Sequence, residues 1–467
     1  MKRGAELEIT IEKFADRGKS LSRVGGYVVF VAGAVPGDRI RARVFKRKKK
    51  FAEAQLLEVV TPSPLRTDPR CSYHATCGGC KWQHVDYAAQ CEAKRQSVQE
   101  ALTYQANLPD VVVNPTLGSE HIYFYRNKME FSFSAHRWLT KDEIATGQKL
   151  DTAFALGLHV PGNFYKVIDL QECYLQSPLS INLVNAIRRF AQEQGWAPWN
   201  IRDHEGYLRH LVIRQAAHTE DVMVNLVTSR QDATRMALFA EWLQTTFPAV
   251  TTAINTVNDT PGQTAFGAYM EVLYGPGTIR DRLGRFTFEV ASNAFFQTNT
   301  RQAERLYEVT RSLAALQPSD LLYDLYCGAG TISLYMSDAV HRVVGAELVE
   351  EAVVNARANA VTNGVTNCTF VSGDLKRLFT PDFVTTQGSP DVVITDPPRA
   401  GMHPKVVAQL AALRPERLIY VSCNPQTQAR DLTALTDLYT VEAVQPVDLF
   451  PHTHHIENVV ALRRRPS

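Results

Sequence analysis

Leu321-Leu-Tyr-Asp-Leu-Tyr-Cys-Gly-Ala-Gly330 decides how this 467-residue chain reads. Leu321–Leu325 is apolar enough for a buried strand, and Gly328 and Gly330 then break it before a helix that begins at Gly330–Ser337. The same rhythm continues downstream. Arg342–Ala346 reads as a strand and Glu350–Asn363 as a helix. Cys368–Val371 and Val392–Thr395 are strands, His403–Leu413 a helix, Arg417–Val421 a strand and Gln426–Leu435 a helix. Ile456–Leu462 is the last apolar strand. Strands alternating with helices predict a doubly wound parallel sheet over residues 291–467. In such a sheet, ligands bind beyond the carboxyl ends of the strands.

Those strand ends carry an ordered set of polar residues. Gly328 and Gly330 let backbone approach a ligand that faces the following helix N-terminus. Glu347 ends the next strand, 17 residues after Gly330, and a carboxylate there suits ribose hydroxyls. Asp374 ends the third strand and can reach an adenine edge. A short Gly-x-Gly turn with an acidic strand end fits S-adenosylmethionine (SAM) as well as NAD. The fourth strand ends in Asp396-Pro-Pro-Arg-Ala-Gly401. That run resembles one in amino-group methyltransferases, which place an aromatic where Arg399 stands.

The fifth strand ends in Ser422-Cys423-Asn424-Pro425, which sets one cysteine at a sharp turn. It is either a buried structural thiol or a nucleophile. Glu457 lies inside the last apolar strand, where a carboxylate is out of place unless it is paired or functional. His452, His454 and His455 precede it without the carboxylate that would complete a zinc set. A nucleophilic Cys423, a base Glu457 and a methyl donor together describe one reaction. The thiolate adds to carbon 6 of uracil, carbon 5 takes the methyl, and the base removes the carbon-5 proton so that the thiolate can leave. The target base must first leave its stack.

Upstream, composition bounds the rest. The length predicts about three domains. The chain is 45% hydrophobic, yet no stretch reaches the roughly 18 apolar residues of a membrane span. The start, Met1-Lys-Arg-Gly-Ala-Glu, lacks a signal-peptide core, so a cytoplasmic protein with no membrane partner is expected. Residues 1–60 carry fourteen Lys/Arg against seven Asp/Glu, whereas the whole chain is only +2. Ile40, Ala42 and Val44 alternate with Arg39, Arg41 and Arg43, and Lys46-Arg-Lys-Lys-Lys50 follows. Short strands with frequent turns predict a small β-barrel of the oligonucleotide-binding kind, with one basic face for a polyanion or a solvated hairpin tip.

Eight cysteines in such a chain favour metal or catalysis over disulfides. Cys71, Cys77 and Cys80 form a Cys-x5-Cys-x2-Cys cluster suited to zinc or an iron–sulfur centre, with Cys91 or Cys173 as fourth ligand. Residues 120–290 read as α+β. Lys128–Ser134, Tyr207–Gln215, Asp221–Thr228 and Arg285–Val290 are strands, and Ser180–Gln194 and Gln231–Phe247 are helices.

Taken together, these motifs resemble the RNA uracil-5 methyltransferase family over nearly the whole chain. Residues 1–62 resemble a TRAM domain, an RNA-binding barrel. Cys71, Cys77, Cys80 and Cys173 match the family's iron–sulfur signature, which implies a [4Fe-4S] cluster with Cys91 a bystander. Asn293-Ala-Phe-Phe-Gln297-Thr-Asn299 matches the motif whose Gln contributes to the SAM site. Tyr326, Glu347, Asp374 and Asp396 fall on its other SAM positions, with Tyr326 where some members carry Phe and Thr331 where some carry Asn. Ser422–Pro425 matches the nucleophile motif and His454-His-Ile-Glu457 the base motif. The resemblance implies three domains, 1–62, 63–290 and 291–467, in a cytoplasmic monomer. It implies SAM-dependent methylation of carbon 5 of a uridine in structured RNA, through Cys423 and Glu457. Ribosomal RNA is the favoured target, in rRNA processing, with transfer RNA the alternative. Two competing readings are methylation of cytosine or an exocyclic amine, and a non-enzymatic iron–sulfur RNA-binding protein.

Overall fold

The computed structural model describes residues 2–466. Its first layer is a six-stranded sheet formed by Glu6–Thr10, Lys13–Phe14, Lys19–Val24, Tyr27–Ala32, Arg39–Arg47 and Phe51–Thr61. Strand alternation places Ile40, Ala42 and Val44 in an apolar core with Ile9, Val29 and Val31, while Arg39, Arg41 and Arg43 face solvent. The basic face is not bare. Arg39 pairs with Glu8, Arg41 with Glu58 at 3.1 Å, and Arg43 with Glu6 at 2.6 Å. Among the described residues, Lys48, Lys49 and Lys50 have no ion-pair partner at the tip of the last hairpin.

The middle of the chain forms a mixed eight-stranded sheet. Lys128–Ser134, Leu208–Gln215 and Val222–Thr228 are strands as expected, joined by Thr252–Val257 and Ala155–His159 among others. The helices Pro178–Glu193 and Ala233–Thr246 pack on it through Phe190, Phe239 and Leu243. The expected strand near Arg285–Val290 forms at Phe286–Ala291, pairs with Thr278–Leu283, and shares a core with the C-terminal sheet.

That last sheet has seven strands. They are β1 (Leu321–Leu325), β2 (Arg342–Glu347), β3 (Cys368–Ser372), β4 (Val392–Thr395), β5 (Arg417–Ser422), β6 (Tyr439–Val447) and β7 (Glu457–Arg464). Their order is 3-2-1-4-5-7-6. Strands β1 to β5 are parallel, and β7 runs antiparallel between β5 and β6. Order reverses between β1 and β4, so the carboxyl ends of both open onto one crevice. Strand β6 escapes the sequence reading because Glu442, Gln445 and Pro446 interrupt its apolar pattern.

A helix at Tyr87–Tyr104, also unread in the sequence, ties the parts together. Asp86 caps it by accepting from Ala89 N at 3.1 Å. Its Val98, Ala101 and Leu102 pack with Tyr420 and Leu432 of the C-terminal sheet layer. Its buried Lys94 donates to Asp448 Oδ1 at 2.6 Å and to the Phe450 carbonyl at 3.2 Å, and Tyr87 donates to Asp448 Oδ2 at 2.9 Å. Buried Gln90 and Lys94 break the helical apolar stripe, which hides the helix from a periodicity reading. Among the described residues no helix is long and apolar enough to cross a membrane.

Candidate active site

The turn after β1 is shaped by its glycines and by one strained residue. Tyr326 N and Cys327 N both donate to the Ala346 carbonyl, at 2.9 and 3.1 Å, which folds the chain back over β2. Tyr326 adopts φ 66° and Gly330 φ 78°. A Cβ on Gly330 would meet the Phe370 ring at 3.0 Å and Ala356 at 3.1 Å, whereas a Cβ on Gly328 would meet nothing within 4 Å. Close packing therefore fixes Gly330, and the open side at Gly328 leaves room for a ligand. Glu347, ending β2, accepts from Gly328 N at 3.1 Å, and from Leu348 N and Val349 N at 2.7 and 2.9 Å. Its carboxylate is thus held rigid at the turn. Asp374 caps the helix after β3 and lies beside Lys376. Gln297 sits half-buried in the loop before the helix Thr300–Ala314, and its carbonyl accepts from Asn127 at 2.7 Å. Asp324 is buried inside β1, accepts from Ser333 at 2.6 Å, and burial raises its pKa to about 7.

The chemical side is built by strand register. Ser422 on β5 faces Asn458 on antiparallel β7. The next residue outward on each strand, Cys423 and Glu457, therefore meets the other at one end of the sheet. Asp396 ends β4 beside them, its N–H donating to the Leu325 carbonyl at 3.3 Å. Asn424 caps the helix Pro425–Leu432 and also donates to the Arg399 carbonyl at 3.0 Å, with Thr427 donating to the same oxygen at 3.2 Å. These bonds lock the cysteine turn to the Asp-Pro-Pro-Arg turn.

Electrostatics at this end are unusual. Burial, with Glu457 and Asp396 nearby, pushes the Cys423 thiol up to about 12. Burial and Asp396 hold Glu457 well above the usual carboxylate range, and burial raises Asp396 to about 7. The Arg399 guanidinium opposes the shift at both Cys423 and Glu457. One cation thus acts on two of three acids that resist ionisation, a pattern that clusters at functional sites. Buried Tyr307 lies close enough to feel Asp396, Asp324 and Glu457, which places it between the SAM-type turn and the cysteine end.

Cys71, Cys77, Cys80 and Cys173 line a single cavity with His74, Leu158 and Leu175. Burial and mutual repulsion push Cys71 and Cys80 up to about 12 and Cys77 to about 11. Cys91, open as a fourth ligand on spacing alone, lies apart beside Asp448 and Tyr87. The expectation of a metal site finds no preformed single-ion set to support it: among the described residues no three His, Cys, Asp or Glu side chains are arranged to hold one ion. The His454 and His455 rings lie against each other at 37°, centroids 4.1 Å apart. The cysteine loop is fastened to the chemical end, since Lys81 N and Trp82 N both donate to the His452 carbonyl at 2.9 Å.

The chain is similar to known proteins over nearly its whole length. Residues 219–465 match the family described as tRNA (Uracil-5-)-methyltransferase, and residues 1–57 match the TRAM domain. An uncharacterized RNA methyltransferase of Bacteroides thetaiotaomicron is 41% identical over 97% of this chain and 100% of its own length. One from Chlorobaculum tepidum is 41% identical over 99% of this chain and 97% of its own. The crystal structure of Pyrococcus abyssi tRNA (uracil-54, C5)-methyltransferase, in complex with S-adenosyl-L-homocysteine, superposes with a TM-score of 0.76. It is 29% identical and covers 98% of this chain and 100% of that one.

Proposed function

The chain belongs to the tRNA (uracil-5-)-methyltransferase family, a SAM-dependent RNA methyltransferase family, and from that premise we propose that Cys423 and Glu457 carry its chemistry on an unpaired uridine of structured RNA. The observation that supports the pair most is the Ser422–Asn458 register, which sets thiol and carboxylate side by side at the crevice. SAM supplies an electrophilic methyl group. Tyr326, Glu347, Asp374, Asp396 and Gln297 are the residues proposed to hold it, with Glu347 on the ribose and the open face at Gly328 against the bound molecule.

Cys423 Sγ, as thiolate, forms a bond to carbon 6 and pushes the electron pair toward carbon 5. Carbon 5 takes the methyl and becomes tetrahedral while still bearing its proton, and the pair of the broken methyl–sulfur bond stays on the donor sulfur, which leaves as a neutral thioether. Glu457 accepts that proton, the electron pair reforms the 5,6 double bond, and the carbon–sulfur bond breaks to return Cys423. Arg399 holds negative charge in the pocket while the thiolate and then the carboxylate carry it. Burial of Glu457 makes it a stronger base than an exposed glutamate once it is ionised.

The gathering of four cysteines around one cavity supports reading it as the site of the [4Fe-4S] cluster that the family resemblance implies. Cys71, Cys77, Cys80 and Cys173 would hold it. Methyl transfer moves no net electrons, so its contribution there is to structure or RNA contact. Anaerobic preparations are expected to contain iron and acid-labile sulfide; stoichiometric zinc instead would remove the cluster from this reading.

The resemblance points to a ribosomal target with transfer RNA the alternative, while the matched family and the Pyrococcus relative both carry transfer RNA in their names. Nucleoside mapping of ribosomal and transfer RNA from cells with and without this protein separates them. Loss of 5-methyluridine at one site supports the proposal. Loss of 5-methylcytidine or a methylated amine contradicts it.

A further inference from the structure

Arg70, Tyr123, Phe124 and Tyr174 form a cluster that methyl transfer leaves unused. The Arg70 guanidinium carbon lies 4.4 Å from the Tyr174 ring centroid, 5.1 Å from that of Phe124 and 5.3 Å from that of Tyr123. The rings meet edge to face, 5.9 Å apart for Phe124–Tyr174 and 6.3 Å for Tyr123–Tyr174. A packing cluster would be buried, but Arg70 is exposed and Phe124 is 38% exposed. The backbone is bent to keep it so. Phe124 adopts φ 56°, an uncommon conformation for a bulky residue, and its N–H donates to the Tyr174 carbonyl at 2.8 Å. The next residue, Tyr125, turns inward and donates to the Pro451 carbonyl at 3.1 Å.

The cluster is continuous with the proposed site. The Tyr123 ring lies tilted against His452, centroids 4.4 Å apart at 31°, and His452 stands in the loop five residues before Glu457, the first residue of β7. An exposed cation over three exposed or half-buried rings, next to a pocket that must receive a base drawn out of its stack, matches the chemistry of an unpaired nucleobase. Every base has a π-face for aromatic or guanidinium planes, and a paired duplex hides it. The cationic head also complements the phosphate backbone.

We propose that Arg70, Phe124 and Tyr174 form a stacking platform for an unpaired nucleobase flanking the uridine delivered to Cys423. The inference rests on the RNA reading above and deepens it by naming how neighbouring nucleotides are held.

The test uses the full chain and a single-stranded RNA dodecamer carrying one 2-aminopurine, alone and annealed to its complement. Wild type is expected to bind the single strand with quenching of the 2-aminopurine. Phe124→Leu/Tyr174→Leu keeps apolar bulk but removes both π-faces, and is expected to weaken single-strand binding about ten-fold or more and to lose the quench. Arg70→Gln should weaken it less. Duplex binding and SAM affinity should not move, which reports an intact fold. On an unmethylated substrate RNA, the double variant should raise KM while keeping kcat. Unchanged single-strand affinity and quench in the double variant would overturn the platform. If instead iron and sulfide content fall while RNA affinity holds, the cluster is a cap over the adjacent cysteine cavity and the proposal fails. Wild type that stacks the probe but makes no 5-methyluridine would leave the platform standing and refute the methylation reading separately.

Discussion

Ser422 and Asn458 face each other across antiparallel strands β5 and β7, and this one register brings Cys423 and Glu457 to the same end of the sheet. Asn458 Nδ2 donates to Gln428 at 2.7 Å, and Gln428 donates back to the Tyr420 and Asn458 carbonyls at 2.8 and 3.2 Å. The register is therefore pinned from the helix that follows Cys423. A slip of one residue would send Glu457 to the opposite face of the sheet.

The protonation state of this end gives the first prediction. Burial pushes Cys423 up to about 12, so the free thiol is protonated near neutrality, and attack needs the thiolate. The kcat/KM for RNA is expected to rise with pH, by about one log unit per pH unit across the neutral and mildly alkaline range. Arg399 favours ionisation of Cys423 and Glu457. Arg399→Met should lower kcat/KM about ten-fold or more and move the profile to higher pH, and Arg399→Lys should recover part of the loss. A flat profile shared by all three proteins would count against this electrostatic account.

Lys94 and Asp448 are a fully buried ion pair at 2.6 Å that joins the helix Tyr87–Tyr104 to the loop leading to Glu457. Removing one partner strands the other charge. Lys94→Met and Asp448→Leu are each expected to cost about 3–5 kcal/mol of stability, and the double replacement less than the sum. Denaturant unfolding of the three variants checks this; additive single losses would show that the two groups act independently.

How much of this was legible in the chain follows from how local each signal is. The Gly-x-Gly turn, the strand–helix rhythm and a carboxylate inside the apolar strand Ile456–Leu462 are local, and the sequence displays them. The Ser422–Asn458 register is not, because 36 residues separate the partners. Gln297 carries no local signal, and only the resemblance points to it. The helix Tyr87–Tyr104 is masked by its own buried Gln90 and Lys94, each of which bonds a residue more than 350 positions away, His452 and Asp448. Charge in Arg39, Arg41 and Arg43 reads as a basic face, yet glutamates on neighbouring strands pair with each of them.

That pairing sharpens a prediction about RNA. Lys48, Lys49 and Lys50 are the unpaired cations at the hairpin tip among the described residues. Replacing all three with Ala should weaken RNA binding and flatten its salt dependence, by about 0.7–0.9 in log–log slope for each phosphate no longer neutralised. Replacing Arg39, Arg41 and Arg43 with Gln should change the slope less, since their glutamates already neutralise them. An equal or larger effect from the arginines would show that those pairs open on binding.

The two glycines of the β1 turn should behave differently. Gly330→Ala forces a Cβ against Phe370 and Ala356 at φ 78° and should destabilise the fold by about 1–3 kcal/mol. Gly328→Ala meets open space, so only its own left-handed φ of 54° costs stability and the loss should be smaller, while its methyl weakens SAM binding by projecting where backbone approaches the ligand. Thermal unfolding without SAM and calorimetric SAM titration separate the two effects.

Trapping on 5-fluorouridine-containing transcripts of ribosomal and transfer RNA, with SAM, tests the central claim most directly. Fluorine at carbon 5 leaves Glu457 no proton to remove, so the methylated adduct cannot release the thiolate. We expect a denaturation-resistant RNA–protein complex whose cross-linked peptide contains Cys423. It should be absent in Cys423→Ala, and Glu457→Gln should accumulate the same linkage on ordinary uridine. A peptide bearing another residue, or 5-methyluridine formed at an undiminished rate by Cys423→Ala, would contradict the assignment.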